Sequence, residues 1–150
     1  MLRRDVVKLL MGISAVVVGG LIKPVKTLAA WNDAAFNAQN LDKALAEYYP
    51  GKRVLSSDDI VIGVRTEIEN GAVVPVKVTT TLTDVTSIAL FVEKNPNPLI
   101  ANFDLSPNCN GFVSSRIKMD QSSELMAVVV SAGQPYSSKT FVTVHQGGCA

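Results

Sequence analysis

The sequence predicts an all-β domain, an immunoglobulin-like antiparallel β-sandwich with a short N-terminal helix and a flexible C-terminal tail. Two observations predict the sandwich. From Ile60 onward apolar residues recur at every second position, the repeat of a strand buried on one face. Turn-forming clusters then cut that alternation into short segments, as in antiparallel sandwiches: Asn70-Gly71, Asn95-Pro96-Asn97-Pro98, Ser106-Pro107-Asn108 and Gly133-Gln134-Pro135. A third observation sets the helix apart. The stretch WNDAAFNAQNLDKALAEYYPG carries Phe36, Leu41, Leu45 and Tyr48 at near-helical spacing.

The first element is not part of the fold. In MLRRDVVKLLMGISAVVVGGLIKPVKTLAA a basic start with Arg3 and Arg4 precedes an apolar run from Leu9 to Ile22. Lys23 and Lys26 follow, then Thr27-Leu28-Ala29, small enough at the end to suit cleavage. This is the layout of a bacterial export signal over residues 1–29. The arginine pair followed by Val6, Val7 and Lys8 is similar to the twin-arginine consensus, with two valines where Phe and Leu are preferred. A membrane anchor is the competing interpretation, but the run is short for a bilayer and contains Gly12, Gly19 and Gly20. The expected destination is the periplasm, where disulfides can persist. Twin-arginine export moves folded chains, often with a cofactor or a partner. No cofactor motif is present, so a partner is expected.

The helix follows, capped at its start by Asn32 or Asp33 and stopped by Pro50-Gly51. Its expected role is packing, over an edge or end of a sheet. The strands come next. Ile60, Ile62 and Val64 share one face; so do Val74, Val76, Val78, Thr80 and Leu82, and then Ile88, Leu90 and Val92. Val113, Ser115, Ile117 and Met119 form another set, then Leu125, Ala127 and Val129. Phe141 and Thr143 lie opposite Val142 and Val144 in the last. The globular domain is expected over residues 30–145 and a flexible arm over 146–150. There are no internal repeats.

Composition narrows the function classes. With 150 residues there is room for one domain, and 14 Lys+Arg against 13 Asp+Glu leave a formal charge of +1. That balance carries no signature of nucleic-acid or anionic-membrane binding. There is no Gly-rich phosphate loop and no metal-ligand motif pair. The chain has one histidine, His145, and no nucleophile motif to complete a Ser-His-Asp site. His145 and Cys149 lie four apart, but a blue-copper site needs a second histidine, so no metal is expected.

Two cysteines remain, Cys109 in SPNCNG and Cys149 in the final HQGGCA. An even count in an exported chain invites a disulfide between them, which would make the protein a structural or binding domain. As a free thiol, Cys149 would instead sit on a thin stalk, because Gly147 and Gly148 carry no side chains. Extended, residues 145–150 reach about 20 Å at ~3.3–3.6 Å per residue, enough to enter a deep site on another protein. A catalytic cysteine requires a rigid wall and a base, and neither is visible. On this reading the thiol is a handle that other proteins load.

Four segments carry a family resemblance: VHQGGCA, NGAVVPVKVTTTL, IALFVEKNPNPLIANFDL and VSSRIKM. They resemble the SoxY family of sulfur carriers of periplasmic thiosulfate oxidation, and the likeness extends from the arginine pair to the tail. The resemblance implies an immunoglobulin-like fold and a heterodimer with a smaller SoxZ-like subunit. It implies that Cys149 is the covalent attachment site and that Gly147 with Gly148 is the swinging arm. A haem-containing enzyme would load thiosulfate on Cys149, a hydrolase would release sulfate, and a dehydrogenase would oxidise the remaining sulfane sulfur. The carrier would itself need no cofactor and catalyse nothing. Two departures stand out: Ala150 follows Cys149 where the family tail reads Gly-Gly-Cys-Gly-Gly, and Cys109 is additional to a single-cysteine pattern.

Overall fold

The computed structural model describes residues 32–145. The predicted export signal (1–29) and the predicted arm (146–150) lie outside the described residues.

Where one helix is expected there are two, α1 (Asp33–Phe36) and α2 (Leu41–Tyr48). The break has a local cause. Asn32 caps α1, its Oδ1 accepting from the Ala35 N–H at 3.1 Å. Asn40 then turns extended and caps α2 by accepting from the Lys43 N–H at 2.8 Å. Asparagine side chains compete for backbone groups and so favour caps over helix interiors.

Nine strands follow: β1 (Leu55–Ser56), β2 (Ile60–Gly63), β3 (Glu67–Ile68), β4 (Val74–Thr80), β5 (Val85–Val92), β6 (Leu99–Asp104), β7 (Phe112–Ile117), β8 (Ser123–Ser131) and β9 (Gln134–Val144). They form the predicted two-sheet sandwich. The larger sheet runs β1-β9-β8-β5-β6, with β3 also on β9; the smaller runs β2-β4-β7. β1 and β3 are both parallel to β9 and occupy its two ends, at Tyr136–Ser137 and Thr143–Val144. The sequence pattern did not single out β1, β3 or β6, because the first two have two residues each and β6 follows directly on the Asn95-Pro96-Asn97-Pro98 turn.

Alternation in β4 is strict: Val74, Val76 and Val78 are buried while Pro75, Lys77 and Thr79 are exposed. These valines meet Ile88, Leu90, Val92, Leu125, Ala127 and Val129 across the sandwich. β5 and β8 differ, because both of their faces are buried. Ala89, Phe91, Met126 and Val128 point away from the inter-sheet core and pack beneath Ala35, Ala38, Ala44 and Tyr49. The helices therefore cover a face of the larger sheet, not an edge or end as expected. The cause is legible in SIALFV, whose odd and even positions are both apolar. The small alanines of the helical segment let it lie close to the strands.

The β8–β9 turn is also shifted. Ala132 and Gly133 take φ of 47° and 78°, the positive pair of a type I′ hairpin turn, so Gln134 and Pro135 already belong to β9. Ser131 faces Gln134 to close the hairpin, and Val130 faces Pro135 in the next, non-bonded pair. Proline therefore forfeits no bond to β8, and β1 joins only from Tyr136.

Two stability outcomes follow from this packing. Phe91 is fully buried under the helices, so Phe91→Ala should cost about 3–5 kcal/mol in denaturant unfolding. Tyr49 is buried against Tyr48, ring centroids 5.0 Å apart, and its hydroxyl has no hydrogen-bond partner among the described residues. Burial, then the neighbouring Tyr48, push its phenol above the ordinary 10.0. The folded state thus keeps the proton that the unfolded chain loses. Stability should fall as pH rises above 10.0. Tyr49→Phe should remove that alkaline component without loss at neutral pH, which melts between pH 7 and 11 would reveal.

Candidate functional site

The residues singled out for attachment, Cys149 with Gly147 and Gly148, lie outside the described residues. What the structure does describe is the strand end from which they continue, and it is tightly held. The Thr143 N–H donates to the Thr66 carbonyl at 2.7 Å, and the His145 N–H to the Ile68 carbonyl at 2.8 Å. On its other side the Val144 N–H donates to Ser122 Oγ at 2.9 Å. The main chain is thereby bonded to β3 and to the β7–β8 loop up to residue 145.

Three loops build the surroundings of this strand end. Asn95 pins the β5–β6 loop to the β7–β8 loop: its Nδ2 donates to the Lys118 carbonyl at 2.8 Å and its Oδ1 accepts from the Asp120 N–H at 3.0 Å. Buried Ser123 accepts from the Lys94 N–H at 3.0 Å. Gly71 completes the set. Its carbonyl accepts from the Met119 N–H at 2.8 Å, and a Cβ at this position would collide with the Met119 carbonyl and press on Val144. Sequence reasoning saw Asn70-Gly71 and Asn95 only as turn formers. Their role in holding the strand end depends on contacts between loops distant in sequence, for which no local signal exists.

The chemistry available there is sparse. Among the described residues no group of three His, Cys, Asp or Glu side chains is arranged to hold a metal ion. His145 is exposed at the strand end. The tyrosines with raised phenols belong to the helix-covered face: Tyr48 is shifted by burial and then by Asp104, and Tyr49 by burial and then by Tyr48. No described residue combines a nucleophile with a base beside β9's end.

Cys109 lies elsewhere. It is a free, exposed thiol in the β6–β7 loop, beside a cleft of about 530 Å³ lined by Asp84, Val85, Leu105, Pro107, Asn110 and Gly111. That is the opposite end of the sandwich. Asp104, Ser87, Val130 and Pro135 share one level across the larger sheet. From 135 to 145, β9 and its last residue run about 33 Å at ~3.3 Å per residue. The four steps from His145 to Cys149 span at most ~14 Å. The Cys109 loop and the strand end at residue 145 thus lie at opposite ends of the sandwich, which counts against the Cys109–Cys149 disulfide of the binding-domain alternative.

A family model for SoxY, described as a sulfur oxidation protein, matches residues 45–149. The chain belongs to the SoxY family. The matched span takes in the globular strands and the segment holding Gly147, Gly148 and Cys149. Among solved structures, the sulfur carrier protein SoxY from Chlorobium limicola f thiosulfatophilum is 35% identical with a TM-score of 0.65, and the alignment covers 77% of this chain and 100% of that one. A superoxide reductase (neelaredoxin) from Ignicoccus hospitalis aligns at TM-score 0.51 with 13% identity, over 57% of this chain and 79% of that one, a likeness of fold alone. No curated protein matches the sequence.

The reach limit has a direct consequence. Oxidised monomer should yield no Cys109–Cys149 cross-linked peptide in non-reducing mass mapping. Cys109→Ser should also shift the melting temperature by no more than about 1 °C, since an exposed loop substitution away from caps and core is nearly neutral. A large destabilisation by Cys109→Ser, with the cross-linked peptide recovered from monomer, would restore the structural disulfide.

Proposed function

We propose that the chain carries sulfur intermediates of thiosulfate oxidation covalently on Cys149, presented to partner enzymes on the arm of Gly147 and Gly148. The observation that carries this reading is the SoxY family match extending to residue 149, beyond a strand end held by hydrogen bonds on both sides. Membership of that family makes the chain a sulfur carrier of the Sox system. The covalent step, the arm and the named partners are our reading of how it works.

In this reading the Cys149 thiol and thiosulfate join through a new S–S bond, releasing one proton and passing two electrons to a haem-containing loading enzyme. Water then cleaves the S–S bond of the terminal sulfonate group on a hydrolase, releasing sulfate and leaving a persulfide on Cys149. A dehydrogenase oxidises that sulfane sulfur. The chain contributes no acid, base or cofactor to these steps. It contributes position. A fixed root limits the thiol's search to the volume swept by a short chain, and glycine at 147 and 148 keeps that chain narrow enough to enter a partner's site.

The same reading places the protein in the periplasm after twin-arginine export, in complex with a SoxZ-like companion that buries about 1,200–2,000 Å² in total. Folding before export would allow the pair to cross together with only one signal.

Intact-mass measurement after incubation with thiosulfate and the loading partner tests the attachment. Wild type should gain a thiosulfate adduct on the tail peptide, and Cys149→Ser should gain none. Replacing both Gly147 and Gly148 with Val should leave the melting temperature unchanged and slow loading by at least about tenfold, because β-branched residues stiffen and thicken the arm. Undiminished loading of Cys149→Ser would sink the carrier assignment; undiminished loading of the valine variant would sink only the arm.

A further inference from the structure

The cleft beside Cys109 is built where two connections meet. Leu82 and Val85 line it from the β4–β5 junction, and Leu105 and Pro107 from the β6–β7 loop, with the free thiol of Cys109 exposed in the same wall. Backbone bonds hold both sides. The Thr80 N–H donates to the Gly111 carbonyl at 2.9 Å, and the Leu105 N–H to the Thr86 carbonyl at 2.9 Å. A Cβ at Gly111 would collide with the Thr80 side chain, so a residue with none is needed there. The volume, about 530 Å³, falls within the ~300–1,000 Å³ of sites that take small ligands or a few residues of peptide.

The chain's own sequence supplies a segment that fits it. Gln146, Gly147 and Gly148 are uncharged, and the two glycines carry no side chain, so the strip leading to Cys149 is thin. Cys149 stands up to ~14 Å from His145, far enough to pass the mouth of a cleft. Charge agrees with shape. Asp84 is the one charged side chain lining the cleft, exposed and in no ion pair among the described residues. His145 is the one basic side chain of residues 145–150 and is itself exposed. A tail entering thiol-first brings that imidazole toward the Asp84 carboxylate. The tail has to come from another molecule, because the cleft and the strand end of one chain lie at opposite ends of the sandwich.

We propose that the cleft receives the tail of a second copy, and that Cys109 there takes over the sulfane sulfur carried on the visitor's Cys149. This rests on the carrier reading above, in which hydrolysis leaves a persulfide on Cys149. The Cys109 sulfur attacks the terminal sulfur of that persulfide. A bond forms between the two, the S–S bond to Cys149 breaks, and the proton lost by Cys109 ends on the Cys149 thiol. One thiol and one persulfide enter and one of each leaves, so no oxidant or reductant is consumed. The donor's Cys149 is then free for another load, while the sulfane sulfur is held beside Leu82, Val85, Leu105 and Pro107.

The test uses two full-length mature variants with one cysteine each. The donor, Cys109→Ser, is loaded on Cys149 with thiosulfate, the loading enzyme and the hydrolase; the acceptor is Cys149→Ser. After mixing and alkylation, peptide mass mapping should find one extra sulfur on the acceptor's Cys109, at a rate that rises with acceptor concentration. Glutathione persulfide at the same concentration should load Cys109 at least about tenfold more slowly, since it lacks the docked geometry. Asp84→Asn in the acceptor and His145→Gln in the donor should each slow transfer about threefold at low salt, and the two together no further. Equal rates from the tail and from glutathione persulfide, or full rates in both charge variants, would overturn the cleft as the tail's dock. Transfer in loaded wild type that is unaffected by dilution would place donor and acceptor in one chain and overturn the second copy. No sulfur on Cys109 would end the relay and leave the carrier standing. A donor that gains no sulfur on Cys149 would remove the carrier reading and this inference together.

Discussion

Everything in this fold depends on β5 and β8 being apolar on both faces. A sheet with one apolar face needs one cover; these two strands need two. The smaller sheet covers Ile88, Leu90, Leu125 and Val129, and the helical segment covers Ala89, Phe91, Met126 and Val128. The short helices would not persist by themselves, since isolated helices of this length are marginal in water. Their stability comes from that apolar face, and the face is kept from water by them. Buried tyrosine at position 49 marks the seam.

The same central strands fix where the ends of the chain can act. β9 pairs with β8 from Gln134 to Val142 and takes a short parallel strand at each end, so its direction and its last residues are over-determined. The strand end at residue 145 is therefore a fixed point, and the loop bearing Cys109 is a full sandwich length away. A carrier benefits from that separation. The separation keeps the Cys109 thiol away from the strand end that leads to Cys149, so an even cysteine count is no argument for a disulfide here.

A member of a sulfur-carrier family need supply no catalytic groups itself. What the body does supply is surface. One sheet face is closed by its own helices, and the other keeps Val61, Phe112, Lys77 and Arg116 exposed.

Sequence alone determined the fold class, because the two-residue period is imposed by the pleat and was written plainly from Val74 to Val78 and from Val113 to Ile117. It also determined the helical character of the segment before Pro50-Gly51 and the family membership, through segments such as IALFVEKNPNPLIANFDL. Local rules went astray where a residue's partner was far along the chain. The helix splits at Asn37–Asn40 because Asn40 caps a second start, and it lies on a face because odd positions of β5 and β8 need burial. Neither fact is visible to a pattern that counts one face per strand. The tail root was illegible for the same reason: Ser122, Asn95 and Gly71 are ordinary turn residues until loops 25 positions apart, such as those joined by the Asp120–Asn95 hydrogen bond, come together. Tertiary structure alone decided that Cys109 and the strand end leading to Cys149 face opposite ways, because strand direction and register, not sequence separation, set distance in a sandwich.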